Sequence, residues 1–283
     1  MNWFILSLSA TFLFSTYGIL SKILSLKSKY PNAFSVIYYF IAGLISLSFI
    51  FFQPGRIIKS PIPNNIIILT ILNFVIWGIF GKVEFLSRKK VEASILPVIV
   101  KIAPIVTFLI SSIFFKENIT QEKIIALLLI IIANILVLFN KLKTDFNKNI
   151  IYALILGVSL GVGWSIDSIV SGSFALPFYI AYTFFASSIS NLTLPPIKKS
   201  IIINEFKYTK LTLLIILASI NALGYFLMVK AYSYGEASKI AMIISTSDVI
   251  TIIFAIIILK ERSNILKKVI AGIMITIAAL LLK

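Results

Sequence analysis

The chain has 283 residues, of which 59% are hydrophobic and 13% charged, with a net charge of +16. Soluble domains run at roughly 45–50% apolar and about 25% charged, so no soluble core takes up this much apolar surface. Cysteine and histidine are both absent, which excludes disulfides, thiolate nucleophiles, Cys/His zinc sites and a histidine general base.

A helix crosses the roughly 30 Å hydrocarbon layer with about 20 apolar residues. In chain order, spans are expected at 3–25, 33–52, 64–86, 92–115, 121–139, 150–171, 177–194, 210–234, 237–259 and 265–282. Each run is continuously apolar, whereas barrel strands are about 10 residues long and alternate, so helices are expected. The first run starts at Trp3 with no basic segment before it and no small-residue cleavage site after it, and reads as a retained span. The breaks between spans are short and rich in lysine. That positive charge meets anionic headgroups, so it points to a membrane surface and away from nucleic acid.

Sliding the chain against itself by 144 residues lays Val91–Glu117 on Gly235–Glu261. Glu92-Ala93-Ser94 falls on Glu236-Ala237-Ser238, Thr107 on Thr251, and Lys116-Glu117 on Lys260-Glu261. Apolar runs match one another cheaply, so the two polar anchors carry the repeat. Two units result, 1–140 and 148–283, each with five spans. Five is odd, so the second enters the membrane from the opposite side, and the fold expected is all-α integral membrane, ten transmembrane helices in two inverted five-helix repeats. Such repeats build many secondary transporters, with the site near the midplane between the halves.

With the Ala-Tyr-Ser-Tyr-Gly-Glu-Ala-Ser run at 231–238 and the Lys-Glu-Asn and Lys-Glu-Arg turns at 116–118 and 260–262, the chain resembles the drug/metabolite transporter superfamily, specifically its EamA family. The resemblance covers essentially the whole chain. It implies a central cavity lined by spans 1, 3, 4, 6, 8 and 9, and export of amino acids, metabolites or drugs. The first half departs from the pattern at Arg88-Lys89-Lys90.

An ionisable side chain deep in a span costs about 2.5–3.5 kcal/mol on insertion scales, so it faces a cavity or a partner. Lys101 in span 4 and Asp248 in span 9 are the deepest, and are expected either to pair structurally or to form a substrate or proton site. Asp167, near the end of span 6 beside Trp164, is expected to be a cavity residue or an interfacial carboxylate. Tyr17, Trp77, Trp164 and Tyr225 are the aromatic candidates for a cavity wall, with helix packing as the alternative role. Lys22, Lys82, Glu84 and Lys230 lie near span ends and are expected to reach the headgroups. Gly157 and Gly161, with Gly163, mark span 6 for close packing.

No Walker A sequence and no catalytic constellation is present, so neither an enzyme nor an ATP motor is expected, and no cofactor. The function expected is secondary transport, with export of an amino acid or related zwitterion; a flippase or scaffold subunit for a lipid-linked substrate is the alternative. Expected partners are a small-molecule substrate, membrane lipids and a coupling proton, with a monomer or homodimer as the assembly. On orientation two arguments diverge. The resemblance implies cytoplasmic termini, whereas the loops after odd-numbered spans hold most of the basic residues, which places the termini outside.

Overall fold

A computed structural model describes residues 2–55, 57–58, 61–91, 96–138, 149–247 and 265–282. It contains α1 (Trp3–Lys27), α2 (Pro31–Ser48), α3 (Asn64–Lys90), α4 (Leu96–Val100), α5 (Ile102–Phe114), α6 (Gln121–Leu138), α7 (Ile150–Val170), α8 (Leu176–Thr193), α9 (Lys199–Tyr208), α10 (Leu211–Ala231), α11 (Ala237–Ser245) and α12 (Ile265–Leu281). Among the described residues, five stretches of helix are long and apolar enough to cross a bilayer: α1, α2 with its 3-10 extension, α3, α7 with its 3-10 extension, and α10. This is a multi-pass membrane protein of the ten-helix, two-repeat class.

The inverted repeat is visible in the packing. Where α1 lies against α10, α3 lies against α7; where α4 lies against α7, α11 lies against α1; where α3 meets α8, α10 meets α2. Each contact recurs with the halves exchanged, as a two-fold operation requires. The contacts of α2 with α8 and of α6 with α12 join equivalent elements across the axis. Large apolar side chains such as Ile5, Phe12, Ile68, Ile71 and Ile113 point outward, while many serines and threonines and the charged side chains of Glu84, Lys101, Lys123, Asp167 and Glu205 are turned inward. That inside-out distribution suits a lipid solvent.

Three elements differ from the sequence expectation. The span expected at 92–115 is divided at Lys101 into α4 and α5. Pro104 lacks the N–H that would bond the Val100 carbonyl, and this loosens the helix at that point. The third span runs on to Lys90 instead of ending at 86, because Lys22 of α1 donates to the carbonyls of Arg88 and Val91 at its end. The break at 195–209 contains α9, an amphipathic helix whose buried Glu205 accepts from the backbone N–H groups of Lys29 (3.1 Å) and Tyr30 (2.8 Å). It thereby ties α9 to the turn that opens α2.

The close approach expected of span 6 is present. A Cβ at Gly157 would stand 2.4 Å from Ile102 Cγ2, and one at Gly161 2.5 Å from the Ala103 carbonyl oxygen. Thr107 of α5 donates to the Gly161 carbonyl at 3.0 Å, and on the other side of the axis Thr11 and Ser15 of α1 donate to the carbonyls of Ile243 and Ser247.

The two polar anchors that revealed the repeat interlock. The Glu117 carboxylate accepts from the N–H groups of Ala237 (2.8 Å) and Ser238 (3.3 Å) and from the Ser238 hydroxyl, capping α11 from the other repeat. An anion there also meets the positive end of the helix dipole. Buried Lys123 bridges Glu117 (3.5 Å) and Glu236 (3.1 Å). Glu92 to Ser94 and Lys260-Glu261 lie outside the described residues.

Candidate solute-binding site

Between the two halves lies a cavity of about 150 Å³, close to the size at which an engineered apolar cavity holds benzene. Aromatic rings from both halves form much of its wall: Tyr17, Tyr39 and Trp77 from the first, Trp164, Phe184 and Tyr225 from the second. Among the described residues three charged side chains also line it: Glu84, Arg88 and Lys101.

Glu84 is buried, contrary to the expectation that it reaches the headgroups. The extra turn of α3 beyond it places it inside the bundle, and Arg88, one turn on, folds back onto it. Arg88 Nη2 and Nε donate to Glu84 Oε1 at 2.9 and 3.2 Å. The Tyr17 hydroxyl donates to the same oxygen at 2.6 Å, and Tyr39 donates to Oε2. The guanidinium also stands over the Tyr17 ring, 5.1 Å from its centroid. Opposite charge and four donor contacts thus surround this buried carboxylate.

Lys101 occupies the junction of α4 and α5, and its ammonium donates to the Ser245 carbonyl. Those residues are 144 apart, the offset of the repeat itself. A residue that touches its own repeat mate lies on the pseudo-two-fold axis, so Lys101 marks the centre of the fold. Asp248, its expected partner, lies outside the described residues.

Asp167 is fully buried but does not line the cavity. It is neither interfacial nor a helix cap. Its Oδ1 accepts from Asn73 Nδ2 (2.9 Å), Trp77 Nε1 (3.1 Å) and the Tyr179 hydroxyl (2.6 Å), and its Oδ2 accepts from the Tyr225 hydroxyl (2.5 Å). Trp77 and Tyr225 also line the cavity and meet edge to face, with ring centroids 5.5 Å apart. Asp167 therefore sits immediately behind the wall those two rings make.

Of the residues singled out from sequence, the structure thus brings Tyr17, Trp77, Lys101, Trp164 and Tyr225 to one cavity and holds Asp167 against it. Sequence reasoning set Glu84 aside and missed Arg88, Tyr39, Asn73 and Tyr179. The spacing of Asn73, Trp77, Glu84 and Arg88, which puts all four on one stripe of α3, was the available signal.

Ten helices in inverted halves, enclosing a small polar-aromatic chamber at their axis, define a membrane carrier. The model of the EamA-like transporter family matches residues 1–139 and 147–283, and the chain belongs to that family. It is a transporter of the drug/metabolite type, with a small-molecule substrate. A solved crystal structure superposes with a TM-score of 0.72 over 99% of this chain and 95% of its own, at 12% identity; at that identity the likeness shows the fold alone. Among curated proteins no sequence matches.

Proposed function

We propose that the protein is a secondary carrier that exports a small zwitterionic metabolite such as an amino acid, bound in the central cavity. The observation that supports this reading is the juxtaposition of charge and size. Lys101 and Arg88 offer cationic donors to a carboxylate, Glu84 offers an acceptor to an ammonium group, and the rings of Trp77, Trp164 and Tyr225 accept a short apolar side chain. Because Glu84 and Arg88 satisfy one another at the cavity wall, a zwitterion exchanges into their pairing without leaving either charge alone. Export is the direction that the family resemblance implies. With no nucleotide-binding motif in the sequence, the driving force is a gradient or an exchange.

Thermal stability of the purified protein in detergent, measured with each common amino acid, tests the substrate class. A ligand at 100 times its Kd stabilises the folded state by about 2.7 kcal/mol, so at least one amino acid raises the unfolding temperature of the wild type and fails to do so for Glu84→Gln. Stabilisation by lipid-linked sugars and by no amino acid overturns the zwitterion reading.

A further inference from the structure

The two buried carboxylates beside the cavity are solvated in opposite ways. Glu84 has a guanidinium at 2.9 Å. Asp167 has four donors and, among the described residues, no lysine or arginine within ion-pair distance. The groups that face it are neutral: Asn73 and Trp77 from α3, Tyr179 and Tyr182 from α8, Tyr225 from α10 and Tyr232 at its end. α4 and α5 contain no ionisable residue; the ammonium of Lys101 between them goes to Ser245, and Lys239 of α11 lies beside Glu236 at the far end of that helix.

Those neutral groups can serve either protonation state. An arginine has no acceptor, so Arg88 meets Glu84 through N–H donors alone. Tyrosine hydroxyls donate to a carboxylate and, after rotation about C–O, accept from a carboxylic acid. Asn73 is more telling. Its Nδ2 donates to Asp167 Oδ1 and to the Tyr179 hydroxyl, while its Oδ1 is buried without a hydrogen-bond donor. A buried amide oxygen left in this way is costly. Rotating the amide turns that oxygen toward Asp167 Oδ1, where it accepts the O–H of an acid protonated on that oxygen, and leaves Oδ2 as the carbonyl oxygen that accepts from Tyr225. The amide is one partner short in either orientation, with Oδ1 orphaned beside the carboxylate and Nδ2 beside the acid. The shell therefore offers partners to both protonation states and fixes neither.

Two of the four donors, Trp77 and Tyr225, are also cavity wall. A solute that packs on those rings moves the indole N–H and the phenol O–H, and so changes the number of donors on the carboxylate. Conversely, protonation of Asp167 frees the Tyr225 hydroxyl to turn toward the solute.

We propose that Asp167 is the proton-binding site of the transport cycle, taking up a proton when it loses donors from the cavity wall and releasing it when they return, and that Trp77 and Tyr225 carry this linkage to the solute. The proposal rests on the carrier reading above. The proton adds to one carboxylate oxygen and leaves from the same oxygen; no other bond changes.

The test reads the proton without a substrate. In the protein labelled with ¹⁵N at its tryptophan indoles, only three N–H resonances arise, from Trp3, Trp77 and Trp164. The resonance of Trp77 is expected to move with pH as a single titration and to stand still in Asp167→Asn, while Trp3 and Trp164 remain dispersed and report that the variant is folded. Tyr225→Phe retains the titration with a displaced midpoint, which separates a linked wall from a bystander. A Trp77 resonance that ignores pH in the wild type, one that titrates equally in Asp167→Asn, or a midpoint untouched by Tyr225→Phe overturns the proposal. Absence of solute transport by the purified protein would sink the carrier reading and leave this titration as it stands, so the two failures are distinguishable.

Discussion

Replacing Glu84 by leucine tests whether the cavity charges are as buried as the geometry shows. Removing one partner of a buried ion pair costs about 3–5 kcal/mol. The Arg88 side chain retains 18% exposure, which places the loss near the lower end. The hydroxyls of Tyr17 and Tyr39 lose their acceptor as well, worth about 1 kcal/mol more after they rotate. The sum is roughly 4 kcal/mol, and at ~2–4 °C per kcal/mol for chains of this order the unfolding temperature falls by about 8–16 °C. Adding Arg88→Met removes the stranded cation, and the double variant recovers half or more of that loss, since two apolar side chains of similar volume repack the gap. Thermal unfolding in one detergent, following the four proteins of the cycle, measures this. A headgroup-facing glutamate is worth ~0–1 kcal/mol, so a fall of under about 2 °C for Glu84→Leu refutes the buried network. Stability should return in the double variant while transport does not.

Gly161→Ala pushes a methyl group to 2.5 Å from the Ala103 carbonyl oxygen, forcing α5 away from α7; a loss of about 1–3 kcal/mol is expected from such overpacking, and unchanged thermal stability would contradict the close approach. Lys116 stands at φ 53°, so Lys116→Gly relieves left-handed strain and raises stability by about 1 kcal/mol; a decrease would argue against that turn. Orientation is tested in the cysteine-free background with Lys207→Cys and Ile119→Cys, which lie on opposite faces. If loop charge governs, an impermeant thiol reagent on intact cells labels Ile119→Cys alone, and labelling of Lys207→Cys alone supports cytoplasmic termini.

The architecture was legible because its cause is compositional. Apolar runs of spanning length, an odd number per half, and the Glu-Ala-Ser and Lys-Glu anchors fix ten helices in inverted repeats, and the structure shows Glu117 of one anchor capping α11 at Ala237 and Ser238 of the other. The site was legible in its aromatic and midplane members, Tyr17, Trp77, Trp164, Tyr225 and Lys101, since depth in a span is readable from position. Glu84 was misjudged for the same reason. Depth was measured to an expected helix end at 86, and the end moved when Lys22 of α1 capped the carbonyls of Arg88 and Val91. A contact 66 residues away in sequence decided that boundary. Asn73 and Tyr179 escaped notice because a neutral polar residue in an apolar run carries no signal until the carboxylate it serves is placed in space. The α9 helix was hidden in a lysine-rich break, where Glu205 looks like a solvated charge until the turn at Lys29 and Tyr30 is brought to it.

The central claim is that this cavity carries a small zwitterion across the membrane, and exchange in proteoliposomes tests it most directly. Vesicles loaded with a mixture of the common amino acids at high concentration, diluted into each radiolabelled amino acid in turn, should take up at least one label transiently with the wild-type protein and none with Glu84→Leu/Arg88→Met, which folds but lacks the cavity charges. Equal uptake of that label by the wild type and this double variant, or no uptake of any by the folded wild type, would contradict the account.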